Sequence, residues 1–101
     1  MQYRIHESDG TAVLSIEGQV VVTDRSEFAV VAADALARRP HRLVVDLGAV
    51  EFMDSAGLGL LLLLRDEALA RQVKVILRGA QGQVRELFET AGFELLFPMA
   101  D

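Results

Sequence analysis

The chain has 101 residues, of which 51% are hydrophobic and 25% are charged. It is long enough for a single domain and too apolar for intrinsic disorder. Because it has no cysteine, disulfides, zinc knuckles and thiol nucleophiles are excluded. The formal net charge of −5 argues against a nucleic-acid partner and against attachment to an anionic membrane surface.

The first elements in chain order form a predicted β-hairpin. Tyr3 and Ile5 alternate with polar neighbours, and Ser8, Asp9 and Gly10 then favour a turn. A second apolar segment covers residues 12–16 and ends near Gly18. Two short strands around a glycine-containing turn are typical of an antiparallel pair.

A helix follows over residues 24–39. Its apolar positions recur at helical spacing, and Asp24 with Glu27 fits a capping box in which Asp24 is the cap. Pro40 ends the helix. Residues 43–47 (LVVDL) form a short, β-branched segment that is continuous rather than alternating in pattern, as expected for a buried parallel strand.

The second half of the chain repeats the alternation of helix and strand. We expect helices over residues 55–71 and 81–91 and a buried strand over residues 73–77, with Gly92 as a left-handed helix terminator. Residues 95–97 are a candidate final strand. This order predicts one small α/β domain over residues 1–101: a mostly parallel sheet with an antiparallel N-terminal hairpin and three main helices.

The most unusual segment is EFMDSAGLGLLLLL, residues 51–64. It leaves the LVVDL strand at its carboxyl end, where sites in open α/β sheets commonly lie. Ser55 is placed to cap the next helix by accepting from the amide of Gly57 or Leu58, and Asp54 also suits the positive helix end. Gly57 and Gly59 are costly in a first helical turn and imply close approach of a backbone or of a partner surface. The leucines surround the helix axis, which implies either a neighbouring helix or an exposed apolar patch.

Two interpretations of Ser55 remain open from these residues alone. In the first, Ser55 is only a structural cap. In the second, it is a phosphorylation switch, because a phosphate adds about −1.5 to −2 charges. A helix amino end tolerates that charge, whereas a partner docked beside Asp54 and the leucines would be repelled.

The stretches LVVDLGAVEFMDSAGLGLLLLLRDEA and VKVILRGAQGQVRELFETAGFELLF resemble the STAS domains, and specifically the bacterial anti-sigma factor antagonists. The resemblance covers nearly the whole chain, from VLSIEG to the last phenylalanine. It implies a partner-switching role in which the unphosphorylated protein binds an anti-sigma factor, a serine kinase of the histidine-kinase-like ATPase type. Phosphorylation of the motif serine, which matches Ser55, ends that binding, and a PP2C-type phosphatase reverses the modification.

The resemblance also implies a partner-binding surface. The family often has a second hydroxyl residue directly after the serine, where this chain has Ala56. In the loop after the second strand, the family usually has an acidic residue three positions past a glycine, which is Gly18 here. Here that position is Val21, with Asp24 the nearest acid. The residues assigned to partner binding are Asp54, Ser55, Ala56, Gly57, Leu58, Gly59, Leu62, Val21 and Asp24.

Other functions have weaker support. Ser55 has no evident catalytic base, because the only histidines are His6 and His41, on the predicted hairpin and at the far end of the LVVDL strand. DSAG is not the glycine-flanked elbow of the α/β-hydrolases, and a lone GLG without a phosphate-binding lysine is a poor nucleotide motif. We expect no enzyme activity, metal or cofactor.

One alternative belongs to a different functional class: a STAS subunit that serves as a scaffold in a larger assembly, such as a lipid-transport ATPase complex. In such a subunit Ser55 only caps its helix. With no secretory h-region and no apolar run near ~20 residues, we expect a cytoplasmic protein without membrane insertion.

Overall fold

The computed structural model describes residues 1–100, which form five strands and three helices. Two short 3-10 turns, Val22–Asp24 and Phe93–Leu95, precede α1 and β5 respectively. The elements are β1 (Gln2–Ser8), β2 (Thr11–Val20), α1 (Arg25–Ala37), β3 (Arg42–Met53), α2 (Ser55–Ala70), β4 (Lys74–Arg78), α3 (Gly82–Ala91) and β5 (Met99–Ala100).

The strands form one mixed sheet in the order β1-β2-β3-β4-β5. β1 and β2 are antiparallel, and every other neighbouring pair is parallel. The predicted small α/β fold with an antiparallel N-terminal hairpin and three helices is therefore confirmed. In this arrangement β2 and β3 reach the same edge of the sheet, where Val20 pairs with Met53.

The helices cover one face of the sheet. The buried residues of all three helices join a single core cluster with alternate residues of the strands. Leu43, Val45 and Leu47 of β3 belong to this cluster and are fully buried. Val44 points to the opposite face and is also buried, so three consecutive residues of β3 are buried although the helices cover only one face of the strand.

β3 is much longer than the LVVDL segment that predicts it. It continues through Met53, because residues 49–53 pair with β2 from Glu17 to Val20. Irregular register between Ser15 and Glu17, and again between Gly18 and Gln19, bends this part of the pair. The sequence of residues 48–53 contains a glycine and a glutamate and looks like a loop, but strand pairing decides its conformation.

The prediction of a strand over residues 95–97 is wrong. The chain forms a 3-10 turn there, and β5 follows at Met99–Ala100. Phe93 stacks on Phe88 with a centroid distance of 5.0 Å, and Phe97 lies 5.2 Å from Phe93. Two rings four residues apart can meet in this way only on a turn, because an extended segment would carry them far apart. The left-handed conformation of Gly92 is confirmed, with φ +69°.

Candidate functional site

The turn between β3 and α2 presents Ser55 to solvent. Asp54 has an extended backbone, and its Oδ1 accepts from the amide of Gly57 at 2.9 Å. Asp54 is thus the N-cap, and the prediction that Ser55 caps the helix is wrong. Ser55 is the first residue with helical geometry and is exposed. The capping role therefore falls to a residue that carries its own negative charge.

Gly57 allows the start of α2 to lie against the end of β2. A Cβ on Gly57 would lie 2.5 Å from Cγ of Met53 and closer still to the carbonyl oxygen of Val20. That same carbonyl accepts from the amide of Asp54 at 3.4 Å. The expectation that a backbone approaches closely is confirmed for Gly57. Gly57 is buried, so it shapes the turn and is not itself exposed to a partner.

Gly59 is different, because a Cβ there would meet no atom within 4 Å. It borders a hollow of about 350 Å³ that continues into a second hollow of about 170 Å³ between α1 and α2. Both are open to solvent, and we call them together the α1–α2 groove. The larger hollow is lined by Val22, Arg25, Ala56, Gly59, Leu60 and Leu63.

The groove exposes apolar side chains beside Ser55. Leu63 is 50% exposed and Val22 is 63% exposed. Leu58 and Leu62, which the sequence assigns to partner binding, are half-buried and pack against the core. The leucine run leaves open whether a neighbouring helix covers the outer leucines or they form an exposed patch, because that depends on where α1 lies. Val22 carries no sequence signal of its own.

The loop between β2 and α1 borders the same edge. Oδ2 of Asp24 accepts from the amide of Val21 at 2.9 Å, so the carboxylate turns back toward the loop. It makes no capping bond to α1, which starts at Arg25, and the predicted capping box with Glu27 is wrong. The Asp24 carboxylate instead bonds to the amide at the start of the 3-10 turn. Asp24 and Val21 are both half-buried and follow Val20, which contacts the Gly57 turn.

Gln83 holds the end of β3 in place. Its amide nitrogen donates to the carbonyl of Met53 at 2.8 Å, and its oxygen accepts from the amide of Met53 at 3.0 Å. This pair of bonds satisfies both backbone groups of the last strand residue before Asp54. Nothing in the sequence singles out Gln83, because its role depends on α3 lying beside the end of β3.

Asp46 of β3 and Arg78 of the neighbouring strand β4 form an ion pair. Oδ2 of Asp46 accepts from Arg78 at 2.9 Å, and Oδ1 accepts from the amide of Gly48 at 3.0 Å. Partial burial by itself raises the pKa of Asp46. The Gly48 and Arg78 contacts outweigh it and hold the pKa below the ordinary aspartate value.

The two histidines of the chain lie in other parts of the fold than Ser55. His6 lies in β1, and His41 immediately precedes β3 at the end opposite Ser55. Within residues 1–100 no three His, Cys, Asp or Glu side chains are grouped as a metal site would need. Among the helices formed by these residues, none has the length and hydropathy needed to cross a membrane.

This arrangement of sheet, helices and DSAGLG turn agrees with comparisons against known proteins. The STAS domain family profile matches residues 2–101. The chain belongs to the STAS domain family.

Three similar proteins place this STAS domain among its relatives. A STAS-domain containing protein of Pseudomonas aeruginosa is 34% identical over 98 residues, covering 89% of this chain and 97% of that protein. The anti-sigma-F factor antagonist RsfB of Mycobacterium tuberculosis is 35% identical over 78 residues, or 75% of this chain and 63% of RsfB. The cell fate determinant SpoIIAA of Bacillus, solved in its phosphorylated form, shares the fold. Its TM-score is 0.72 at 20% identity, covering 99% of this chain and 92% of that one.

The structure brings most of the residues assigned to partner binding to one edge of the STAS domain. Val21 and Asp24 come from the β2–α1 loop, and residues 54–59 come from the β3–α2 turn. Two residues at this edge, Val22 and Leu63, are exposed apolar side chains that sequence reasoning missed. Arg25, also missed, supplies the groove's positive charge.

Proposed function

We propose that this STAS domain is an anti-sigma factor antagonist that switches partners through Ser55. Unphosphorylated, it binds an anti-sigma factor that is itself a serine kinase. Phosphorylation of Ser55 by that kinase ends the binding, and a PP2C-type phosphatase restores it. The chain is a regulatory binding protein of the cytoplasm and has no catalytic activity of its own.

One observation carries the proposal: Ser55 is an exposed hydroxyl at the first position of α2, and its neighbour Asp54 is the cap. If Ser55 were the cap, phosphorylation would alter the hydroxyl acceptor that holds the first amides of α2. Here the capping bond belongs to Asp54, so a phosphate on Ser55 leaves it in place. The domain can therefore be modified without losing the start of α2.

The effect on a partner is expected to be much larger than the effect on the fold. The amide end of α2 favours an anion, which offsets part of the repulsion from the Asp54 carboxylate. A partner covering this turn would have to desolvate a phosphate of about −1.5 to −2 charges next to a carboxylate. The free energy of binding should suffer far more than the free energy of unfolding.

The α1–α2 groove supports docking at this edge. Exposed Leu63 and Val22 form an apolar surface next to Ala56, directly after Ser55. Buried apolar surface contributes roughly 25 cal/mol per Å², so a partner that covers these side chains gains binding free energy. The name of RsfB and the phosphorylated state of SpoIIAA agree with such a role.

The test is phosphorylation by the serine kinases of the histidine-kinase-like ATPase type encoded in the source genome. The full chain is incubated with each kinase and ATP, and the phosphate is located by mass spectrometry. We expect stoichiometric phosphate on Ser55 with one of these kinases. Ser26, an exposed serine near the start of α1, supplies the matched control. Ser26→Ala should accept phosphate normally, and Ser55→Ala should accept none.

Absence of phosphate on Ser55 with every such kinase would overturn the switching mechanism. If the same protein nevertheless formed a constitutive complex that survived Ser55→Asp, a scaffold role in a larger assembly would replace it. Phosphate on Ser26 alone would move the switch to α1 and would equally contradict the assignment of Ser55.

A further inference from the structure

A second cavity lies at the end of the domain opposite Ser55. It has a volume of about 790 Å³ and opens between the C-terminal ends of α1 and α2 and the starts of β3 and β4. Arg39, His41 and Arg71 are exposed at its rim, and Leu36, Pro40 and Val73 form its buried floor. We call this the basic cavity. Its volume lies within the ~300–1,000 Å³ typical of small-molecule sites.

The rim of the basic cavity carries positive charge without a matching carboxylate. Among the residues that the structure describes, no aspartate or glutamate lines it. Within residues 1–100, the ion pairs closer than 4.0 Å involve neither Arg39 nor Arg71. This contrasts with Arg38, which lies 3.7 Å from Asp34 on the same helix. In a chain of net charge −5, these two guanidinium groups make the rim of one cavity locally positive.

A simpler explanation is that these arginines neutralise the negative ends of α1 and α2. Each helix end carries about −0.5 charge, so the two ends together contribute about −1. The two guanidinium groups contribute +2, and a net charge of about +1 remains at the rim. Neutralising a helix end also does not require a cavity beside it, so this explanation leaves the cavity unexplained. Neutralisation therefore accounts for only part of the feature.

The chemistry of rim and floor defines the ligand class. A guanidinium binds phosphate oxygens through two parallel hydrogen bonds, and two arginines suit a dianion. The apolar floor gives nothing to a free inorganic ion, but it can cover the apolar or aromatic body of a larger molecule. We propose that the basic cavity binds a small organic phosphate, with the phosphate on Arg39 and Arg71 and the body on Leu36, Pro40 and Val73.

The test is a titration of the ¹⁵N-labelled full chain with phenyl phosphate, followed by amide chemical shifts. We expect saturable shifts at residues 37–42 and 71–73, with none at residues 54–59, and a Kd in the range of ~0.1–1 mM. Inorganic phosphate and phenol should each bind at least ~10-fold more weakly than phenyl phosphate, because each uses only part of the site.

Two variants distinguish the cavity from general charge attraction. Arg39→Gln with Arg71→Gln should weaken binding ~10-fold or more. The matched double variant Arg4→Gln with Arg85→Gln, which removes two exposed arginines elsewhere, should bind as the wild type does. Ala33→Phe, which fills the cavity from α1 without changing charge, should also weaken binding.

Absence of saturable shifts at ~10 mM phenyl phosphate would overturn the proposal. Equal affinity for inorganic phosphate would do the same, as would equal losses in the two arginine variants. None of these outcomes bears on the Ser55 switch, which lies at the other end of the domain.

Discussion

Ser55 and Asp54 divide two tasks between adjacent residues. The Asp54 carboxylate caps α2, which stabilises a helix by about 0.5–2 kcal/mol relative to alanine. The Ser55 hydroxyl is left exposed at the first helical position. One residue can therefore change its charge while the other keeps the helix start in place.

Ser55→Asp should lower affinity for the proposed kinase partner at least ~10-fold, because it puts a second carboxylate beside Asp54 at the proposed docking surface. Its Tm should stay within a few degrees of the wild type, because the helix end favours the new charge. Isothermal titration calorimetry and thermal melts measure the two quantities. Ser55→Ala is the control and should bind normally. Equal affinities for Ser55→Asp and Ser55→Ala would contradict the electrostatic explanation.

Gly57 and Gly59 should respond oppositely to the same substitution. Gly57→Ala forces a Cβ against the Val20 carbonyl and should cost about 1–3 kcal/mol of unfolding free energy. Gly59→Ala meets open space and should be neutral or stabilise the helix by up to ~1 kcal/mol. Urea unfolding measures both values.

Gly59 also offers a test of docking that leaves the fold intact. Gly59→Leu fills the α1–α2 groove from one side, so it should weaken kinase binding ~10-fold without unfolding the domain. Unchanged affinity would place the groove outside the interface.

At the scale of elements, α2 has one apolar face that is buried in the core and another that is exposed. Leu64 is buried in the core at 1% exposure, while its neighbour Leu63 is half-exposed in the α1–α2 groove. Consecutive helical residues differ by 100° in direction, so one leucine run can serve the sheet and an exposed surface at once. The groove itself needs both α1 and α2.

Leu64→Ala should therefore cost about 2–5 kcal/mol of unfolding free energy, as expected for a core leucine. Leu63→Ala should change stability by less than ~0.5 kcal/mol but weaken kinase binding. Chemical unfolding and a binding titration of the same two proteins separate the effects. If Leu63→Ala bound as tightly as the wild type, the exposed face of α2 would not be part of the docking surface.

At the scale of the whole molecule, a single small core faces one side of the sheet and the two ends of the sheet differ in character. The carboxyl ends of β2 and β3 carry Ser55 and the α1–α2 groove, and the opposite end carries the basic cavity. One phosphate changes the net charge from −5 to about −6.5 to −7. That added charge is confined to the Ser55 end.

The Asp46–Arg78 pair gives the domain a pH-dependent contribution to stability. Because the pKa of Asp46 is lower in the folded than in the unfolded chain, the ionised form stabilises the fold above the ordinary aspartate pKa. This contribution is lost as the pH falls through the lowered pKa of the folded state. The advantage of the wild type over Asp46→Asn in unfolding free energy should be greatest near pH 7 and shrink below about pH 4.

Urea unfolding of both proteins between about pH 3 and pH 7 measures this difference. Arg78→Gln removes the guanidinium and should reduce the same pH dependence, because Asp46 then keeps only the Gly48 contact. A difference between wild type and Asp46→Asn that stays constant over this range would contradict the assignment.

Much of this molecule follows from local sequence. The change between strand and helix periodicity predicts the α/β class. Gly92 predicts the end of a helix, and the two glycines of DSAGLG predict that the first turn of α2 has a special role. These features depend on residues close in the chain. Local spacing also indicates that Gly57 or Gly59 has a close neighbour.

Tertiary structure decided the rest, because the relevant partners are distant in sequence. β3 extends to Met53 because β2 pairs with it, and Gln83 reaches that residue from α3. Asp54 instead of Ser55 caps α2 because the contact of Val20 with the Asp54 amide fixes where the strand ends and the helix begins. The high apolar content of the chain follows from its composition alone. Which leucine lies in the core and which is exposed depends on how α1 packs beside α2 on the sheet.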